Sequence, residues 1–151
     1  MKNPRRTSIK QLGQVLVERG VIDHEQVLMA ITYQREKGGL FGEVLVQLKF
    51  ATEEDIAQAL TCQYGFPYLP LANYEIDQEV ISTIPENVCV QFCLIPVDKI
   101  GKSLTLAMAD PLNQNAIDDV ELITGATVQA FVSTSSDIKE AIARYYNKPA
   151  N

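Results

Sequence analysis

A tandem repeat constrains this chain more than any other feature. Read from Leu12, the first copy is LGQVLVERGVIDHEQVLMAITYQ; read from Phe41, 29 positions later, the second is FGEVLVQLKFATEEDIAQALTCQ. Gly13 recurs as Gly42, Val15-Leu16-Val17 as Val44-Leu45-Val46, and Glu25 as Glu54. Ala30, Thr32 and Gln34 recur as Ala59, Thr61 and Gln63, while Val21 with Phe50, Val27 with Ile56 and Ile31 with Leu60 keep their apolar character. Two copies of one supersecondary unit are expected to pack on each other and close a shared core. Any ligand or partner surface is then expected twice, in roughly symmetric positions.

Each copy reads as helix, turn, helix. Leu12, Val15, Leu16 and Arg19 fall at helical spacing, with the apolar members on one stripe. Gly20 stops that helix where a left-handed residue is needed; the equivalent position in copy two is Lys49, which adopts that conformation at a cost of about 1 kcal/mol. Asp23 and Thr52 stand where N-caps belong, each followed three residues later by Gln26 or Asp55 in the manner of a capping box. The second helices carry Val27, Ala30, Ile31 and Gln34 in copy one, and Ile56, Ala59, Leu60 and Gln63 in copy two. Lys37-Gly38-Gly39 is a link short enough to keep the two hairpins side by side.

Beyond Gln63 the pattern changes. Tyr64-Gly65-Phe66-Pro67-Tyr68-Leu69-Pro70 is too rich in proline to be helical throughout and reads as a connection with a short extended piece. Asp77 to Ile84 suggests a short helix, and Pro85 sits at the first position of another running from Glu86 to about Phe92. Cys93–Val97 and Ser103–Met108 read as strands of a hairpin, with turn residues from Asp98 to Lys102. A helix follows over Asn113–Ile123 with Ala116, Ile117, Val120 and Ile123 on one face; then comes a strand over Thr127–Val132 and a last helix over Asp137–Tyr146, with Ile138, Ala141 and Ile142 inward. The fold class is therefore α+β: a tandem helix-turn-helix repeat packed on a small unit ordered strand, strand, helix, strand, helix. The expected divisions are a basic flexible arm over 1–8, the repeat over 9–63, a connection over 64–76, the second unit over 77–147 and a tail over 148–151.

Composition limits the class of function. A hydrophobic share of 46% against 21% charged residues suits a globular protein, and no apolar run approaches the roughly 18 residues of a membrane span. The first residues, Met1 to Arg6, are basic but lack the apolar core of a signal peptide, and three cysteines leave an odd thiol, as in a reducing compartment. The expected location is cytoplasmic, without direct membrane insertion. A net charge of −6 argues against nucleic-acid binding, although Lys2, Arg5, Arg6 and Lys10 make a basic arm ahead of an acidic body. That arm reads as a solvated tail; a second reading closes it over an anionic ligand or an acidic partner.

Residue types that carry chemistry are present without the arrangements chemistry needs. Gly101-Lys102-Ser103 copies the end of a phosphate-binding loop, but the leading glycine position is Pro96 and a strand follows where a helix is required. His24 is the only histidine and sits in the first turn of a helix as a surface residue, so neither a histidine metal cluster nor a catalytic triad is indicated. Cys89 and Cys93 are half of a metal-site spacing with no second pair, and read as buried thiols packing as small hydrophobes. Asp118 and Asp119 are adjacent on a helix and diverge. The expectation is a non-catalytic protein with no metal.

The pattern L-G-x-x-L-V-x-x-G-x-I, then a second helix ending x-A-L-x-x-Q, is repeated after a short spacer. Together with Ile84-Pro85, Ile95-Pro96-Val97 and Ala107-Met108-Ala109-Asp110-Pro111, it resembles the MshEN domain over residues 9–147. That domain stands at the N-terminus of secretion and type IV pilus assembly ATPases of the GspE/PilB kind. The resemblance implies a regulatory or adaptor domain in a type II secretion or type IV pilus system. It would dock on the cytoplasmic part of an inner-membrane platform protein or an associated ATPase, peripheral to the membrane through that partner. The chain ends near Lys148-Pro149, where a linker to an ATPase engine would begin, so a stand-alone domain and the front of a longer ATPase both fit.

The resemblance also implies a second function, because similar domains bind cyclic di-GMP along the two repeats. The ligand positions it assigns are Gln11, Leu12, Gly13, Leu16 and Gln34 in copy one, Leu40, Phe41, Gly42, Leu45 and Gln63 in copy two, and Asp110 beyond them. No cofactor is required for this. The family's arginine before L-G, which stacks on guanine or pairs with phosphate, is here Gln11, and Leu40 in copy two. Losing a charge-assisted contact costs on the order of 1.5 to 3 kcal/mol, roughly tenfold to a hundredfold in affinity. Lys10, or Arg5 and Arg6, are the candidates to restore the phosphate contact. Docking is therefore the first expectation and cyclic di-GMP binding the alternative.

Overall fold

The computed structural model describes the backbone of residues 4–146 and the side chains of residues 11–146. The chain divides into two compact units, Met1–Gly65 and Phe66–Asn151.

The first unit holds helices α1 (Pro4–Glu18), α2 (His24–Lys37), α3 (Phe41–Gln47) and α4 (Glu53–Tyr64), two hairpins as the repeat predicts. The backbone of α1 begins at Pro4, so residues 4–8 are helical where a flexible arm was expected. Proline is well suited to a first helical position, since the N–H it lacks would have no partner there. The Arg5, Arg6 and Lys10 side chains, the expected phosphate contacts, lie outside the described residues, as does the 148–151 tail.

Both turns follow one hydrogen-bonding scheme. Gly20 N–H donates to Val17 O (3.0 Å) and Val21 N–H to Leu16 O (3.0 Å); in copy two Lys49 N–H donates to Val46 O (3.0 Å) and Phe50 N–H to Leu45 O (2.9 Å). These paired bonds satisfy the helix-end carbonyls and require a left-handed residue. Gly20 has φ 77°, and Lys49 takes φ 63°, so copy two keeps the geometry without the glycine. The next helices start with reciprocal caps: Gln26 N–H to Asp23 Oδ1 (2.8 Å) with Asp23 N–H to Gln26 Oε1 (2.9 Å), and Asp55 N–H to Thr52 Oγ1 (3.1 Å) with Thr52 N–H to Asp55 Oδ2 (3.0 Å). Aspartate is long enough to close the second box.

The hairpins exchange partners, α1 packing on α4 and α2 on α3. Equivalent side chains of the two copies fill the core: Leu12 and Phe41, Val15 and Val44, Leu16 and Leu45, Ala30 and Ala59 are all buried. The two-fold relation reaches the glycines. A methyl group built at Gly13 would lie 3.6 Å from Val27 and 3.7 Å from Phe41, and one at Gly42 would lie 3.5 Å from Ile56 and 3.9 Å from Leu12.

The second unit comprises α5 (Gln78–Ile81), α6 (Glu86–Phe92), β1 (Leu94–Ile100), β2 (Ser103–Met108), α7 (Gln114–Thr124), β3 (Thr127–Val132) and α8 (Ser135–Tyr146). Its sheet is ordered β1-β2-β3, with β1 antiparallel and β3 parallel to β2, so the chain is α+β as expected. Strand β1 outlasts its expected end. A register shift between Pro96 and Asp98 absorbs one residue and lets Asp98–Ile100 pair with Thr105–Ser103. The turn shrinks to Gly101-Lys102, with Gly101 at φ 59°, which settles the Gly-Lys-Ser sequence as a hairpin turn.

Other departures are local. Pro85 is the N-cap of α6 rather than its first helical residue, with an extended ψ of 148°. On α7 the buried stripe is Ala116 and Val120, which lie four apart; Ile123 in the last turn is 47% exposed instead of inward. Residues 66–76, expected as part of a connection, belong to the second unit. Tyr68 bridges Val132 in parallel, Leu69 N–H donates to Val132 O and Val132 N–H to Pro67 O (both 2.9 Å). A proline-rich extended segment thus satisfies open edge groups of β3. Helix α8, with Ile138, Ala141 and Ile142 buried as expected, is strapped down at its end. Tyr146 Oη lies 2.9 Å from Ile81 O and 2.8 Å from Ile84 O, and Tyr145 Oη accepts from Ile76 N–H (3.0 Å).

Candidate functional site

The residues marked out by the repeat divide by burial. Leu12, Leu16, Phe41 and Leu45 are at most 3% exposed and belong to the core of the first unit. They shape the helices that any ligand would meet, and present little surface themselves. Gln11 and Leu40 are half-buried; the backbone carbonyl of Gln11 accepts from Tyr64 Oη (3.3 Å), which ties the end of α4 to α1. Gln34 Nε2 donates to Gly39 O (2.9 Å) and so fixes the link ahead of α3, whereas Gln63 is exposed. Asp110 lies in the second unit, half-buried after β2, where Oδ1 accepts from Leu112 N–H (3.1 Å).

The two repeat glycines stand apart from the others. Gly13 and Gly42 lie within helices, and the neighbours a methyl group would meet, at 3.5 to 3.9 Å, are at ordinary contact distance. A glycine inside a helix costs roughly 0.5–1 kcal/mol relative to alanine. Packing therefore does not explain why both copies carry one.

One further surface lies outside the residues that the repeat marks out. Leu28, Met29, Thr32, Tyr33 and Glu36 of α2, with Leu48 at the end of α3, line an open apolar depression on the first unit. Leu28 is 65% and Met29 57% exposed. Its signal was present in the sequence: α2 carries Leu28, Met29 and Tyr33 off the stripe Val27, Ala30, Ile31 that packs inward. The depression also breaks the repeat, because the α4 equivalents of Leu28, Met29 and Tyr33 are Ala57, Gln58 and Cys62. The apolar depression is thus present in copy one without a counterpart of the same composition in copy two.

Of the three cysteines, Cys62 is an exposed free thiol and the other two are occupied structurally. Cys89 and Cys93 are buried free thiols, Cys89 Sγ lying 3.3 Å from Tyr146 Oη and Cys93 Sγ 3.4 Å from Ser135 Oγ. Burial pushes the Cys89 thiol up to about 11, and burial followed by the Cys89 contact raises the Tyr146 hydroxyl well above its usual range. His24 is exposed at the start of α2. Among the described residues no group of three or more His, Cys, Asp or Glu is placed to hold a metal ion, and no helix is long and apolar enough to cross a membrane.

Known proteins resemble this chain along most of its length. It is 33% identical over 136 residues to the type IV pilus assembly ATPase PilB of Myxococcus xanthus, covering 90% of this chain and 24% of that protein. The chain thus spans about a quarter of that relative. The N-terminal domain of XpsE superposes with a TM-score of 0.75 at 24% identity, covering 96% of this chain and 98% of that one. MshE, solved with cdg, superposes with a TM-score of 0.68 at 24% identity, covering 89% and 98%. Residues 64–151, which hold the phrases around Ile84-Pro85, Ile95-Pro96 and Asp110-Pro111, match the MshEN domain. The chain belongs to the MshEN domain family.

Proposed function

We propose that this chain is a non-catalytic docking domain of the secretion or pilus ATPase N-terminal type. It acts in the cytoplasm by binding the cytoplasmic region of an inner-membrane platform protein, or an associated ATPase. The observation that carries the reading is the exposed depression around Leu28 and Met29. Large apolar side chains exposed together on one helix face are what a protein interface buries. The test is binding of the purified platform region, measured by biolayer interferometry. The wild-type chain is expected to bind, and Leu28→Asp is expected to lose at least tenfold in affinity, the loss of one buried anchor. Undiminished binding by Leu28→Asp would remove the depression from the interface.

A second reading is favoured by one observation: two helical glycines in symmetric positions have room for a methyl group that neither carries. Gly13 is buried and Gly42 half-buried, so of the two it is Gly42 that offers backbone a flat ligand approaches closely; a doubled nucleotide such as cyclic di-GMP matches the doubled positions. MshE, the structural relative solved with cdg, points to that ligand. Against it stand Gln11 and Leu40, neither of which offers a charge to phosphate. Calorimetric titration with cyclic di-GMP, with GTP as control, decides this reading. Saturable micromolar binding that Gly42→Ala weakens supports it, and no heat at high ligand concentration excludes it.

A further inference from the structure

The depression on α2 has a charge pattern as well as an apolar floor. Counting 100° per residue, Glu25, Leu28, Met29, Thr32, Tyr33 and Glu36 fall on one face of α2. The stripe thus carries a carboxylate near each end, and 11 residues place them about 16 Å apart along the axis. It carries no Lys or Arg. Arg35 borders it about 20° beyond Leu28 and Lys37 about 40° beyond Tyr33, both at its sides and off the line from Glu25 to Glu36, and Lys49 follows Leu48 at the far side. The unit around it has the same sign: residues 11–65 hold four Lys and Arg against eight Asp and Glu, a net of −4.

Resting on the docking reading above, we infer that this groove receives an amphipathic helix of the partner protein, whose apolar stripe is bracketed by basic side chains. An apolar strip along a helix, deepened on one side by Leu48, is the shape that the apolar face of a second helix fills through anchors at i, i+3, i+4 and i+7. The terminal carboxylates select against an acidic or uncharged rim and fix the register of the incoming helix. Copy two has Glu54 where copy one has Glu25, but Ala57, Gln58 and Gly65 replace Leu28, Met29 and Glu36. The helix is therefore received on one side of the repeat alone.

The test uses the full chain and two designed helical peptides that share one apolar stripe. One carries lysines at both ends, spaced to reach Glu25 and Glu36; the other carries glutamates there. Fluorescence anisotropy is expected to show the lysine peptide binding about tenfold tighter or more, the sum of two attractions gained and two repulsions avoided. Added salt should narrow the gap. The double variant Glu25→Lys with Glu36→Lys is expected to reverse the preference, which a merely unfolded variant cannot do, and Leu28→Asp to abolish both complexes. Equal binding of the two peptides overturns the proposal. So does failure of both to bind while the platform region still binds, an outcome that leaves docking intact and removes the helix as its occupant. Failure of the platform region itself to bind the wild-type chain overturns the docking reading with it.

Discussion

Lys49 does in copy two what Gly20 does in copy one, closing the same pair of turn hydrogen bonds at φ 63°. A lysine there pays the steric cost of the left-handed region, so Lys49→Gly is expected to raise stability by about 1 kcal/mol in urea denaturation. A neutral or destabilising result would mean that the greater freedom of glycine in the unfolded chain offsets the relief. The helical glycines give the opposite kind of forecast. Gly13→Ala meets only ordinary contacts and should stabilise α1 by roughly 0.5–1 kcal/mol. A loss of more than that amount would show that the site is tighter than its geometry indicates. These turn and cap positions were legible in the sequence because hydrogen bonding between near neighbours fixes them. The burial of Leu12, Leu16, Phe41 and Leu45 was legible as an apolar stripe, but their distance from solvent, and so from a ligand, depends on which helix covers them.

Among the elements, α4 depends on its start. Thr52→Ala removes the acceptor for Asp55 N–H and is expected to cost about 1 kcal/mol, read as a lower denaturation midpoint at unchanged slope. Helix α8 depends on its end, where Tyr146 meets two carbonyls and Cys89. Both groups are held neutral above their ordinary values of 10 and 9. Their contribution is thus complete below pH 9 and is lost as pH rises from 9 toward 11 and beyond, because the unfolded chain releases those protons first. Denaturation at pH 8 and pH 10.5 should show this fall, and Cys89→Ala should flatten part of it; equal stability at the two values contradicts the strap. Strand β1 shows where element boundaries escape the sequence. Asp98 and Lys99 look like turn residues, yet a register shift lets them pair, and such a shift is decided by the partner strand. The two apolar faces of α2 were visible as Leu28-Met29 beside Val27 and Ala30, but which face α3 would cover was not.

Across the whole molecule, the repeat announced a shared core but not its exchanged pairing, α1 with α4 and α2 with α3. Helical periodicity states that a face is buried without naming its cover. The α+β order of the second unit followed from alternating apolar patterns and turn residues, whereas its hold on residues 66–76 came from hydrogen bonds to the edge of β3. The proposed docking rests on the break in symmetry: the copies agree in the core and differ on the α2 groove, where copy one alone exposes Leu28 and Met29. The most direct test is hydrogen exchange of the full chain with and without the purified cytoplasmic region of the platform protein. Docking through this groove predicts slowed exchange centred on residues 28–36 and around Leu48, with α4 unchanged. Complex formation that protects other segments and leaves α2 exchanging as in the free chain would contradict it.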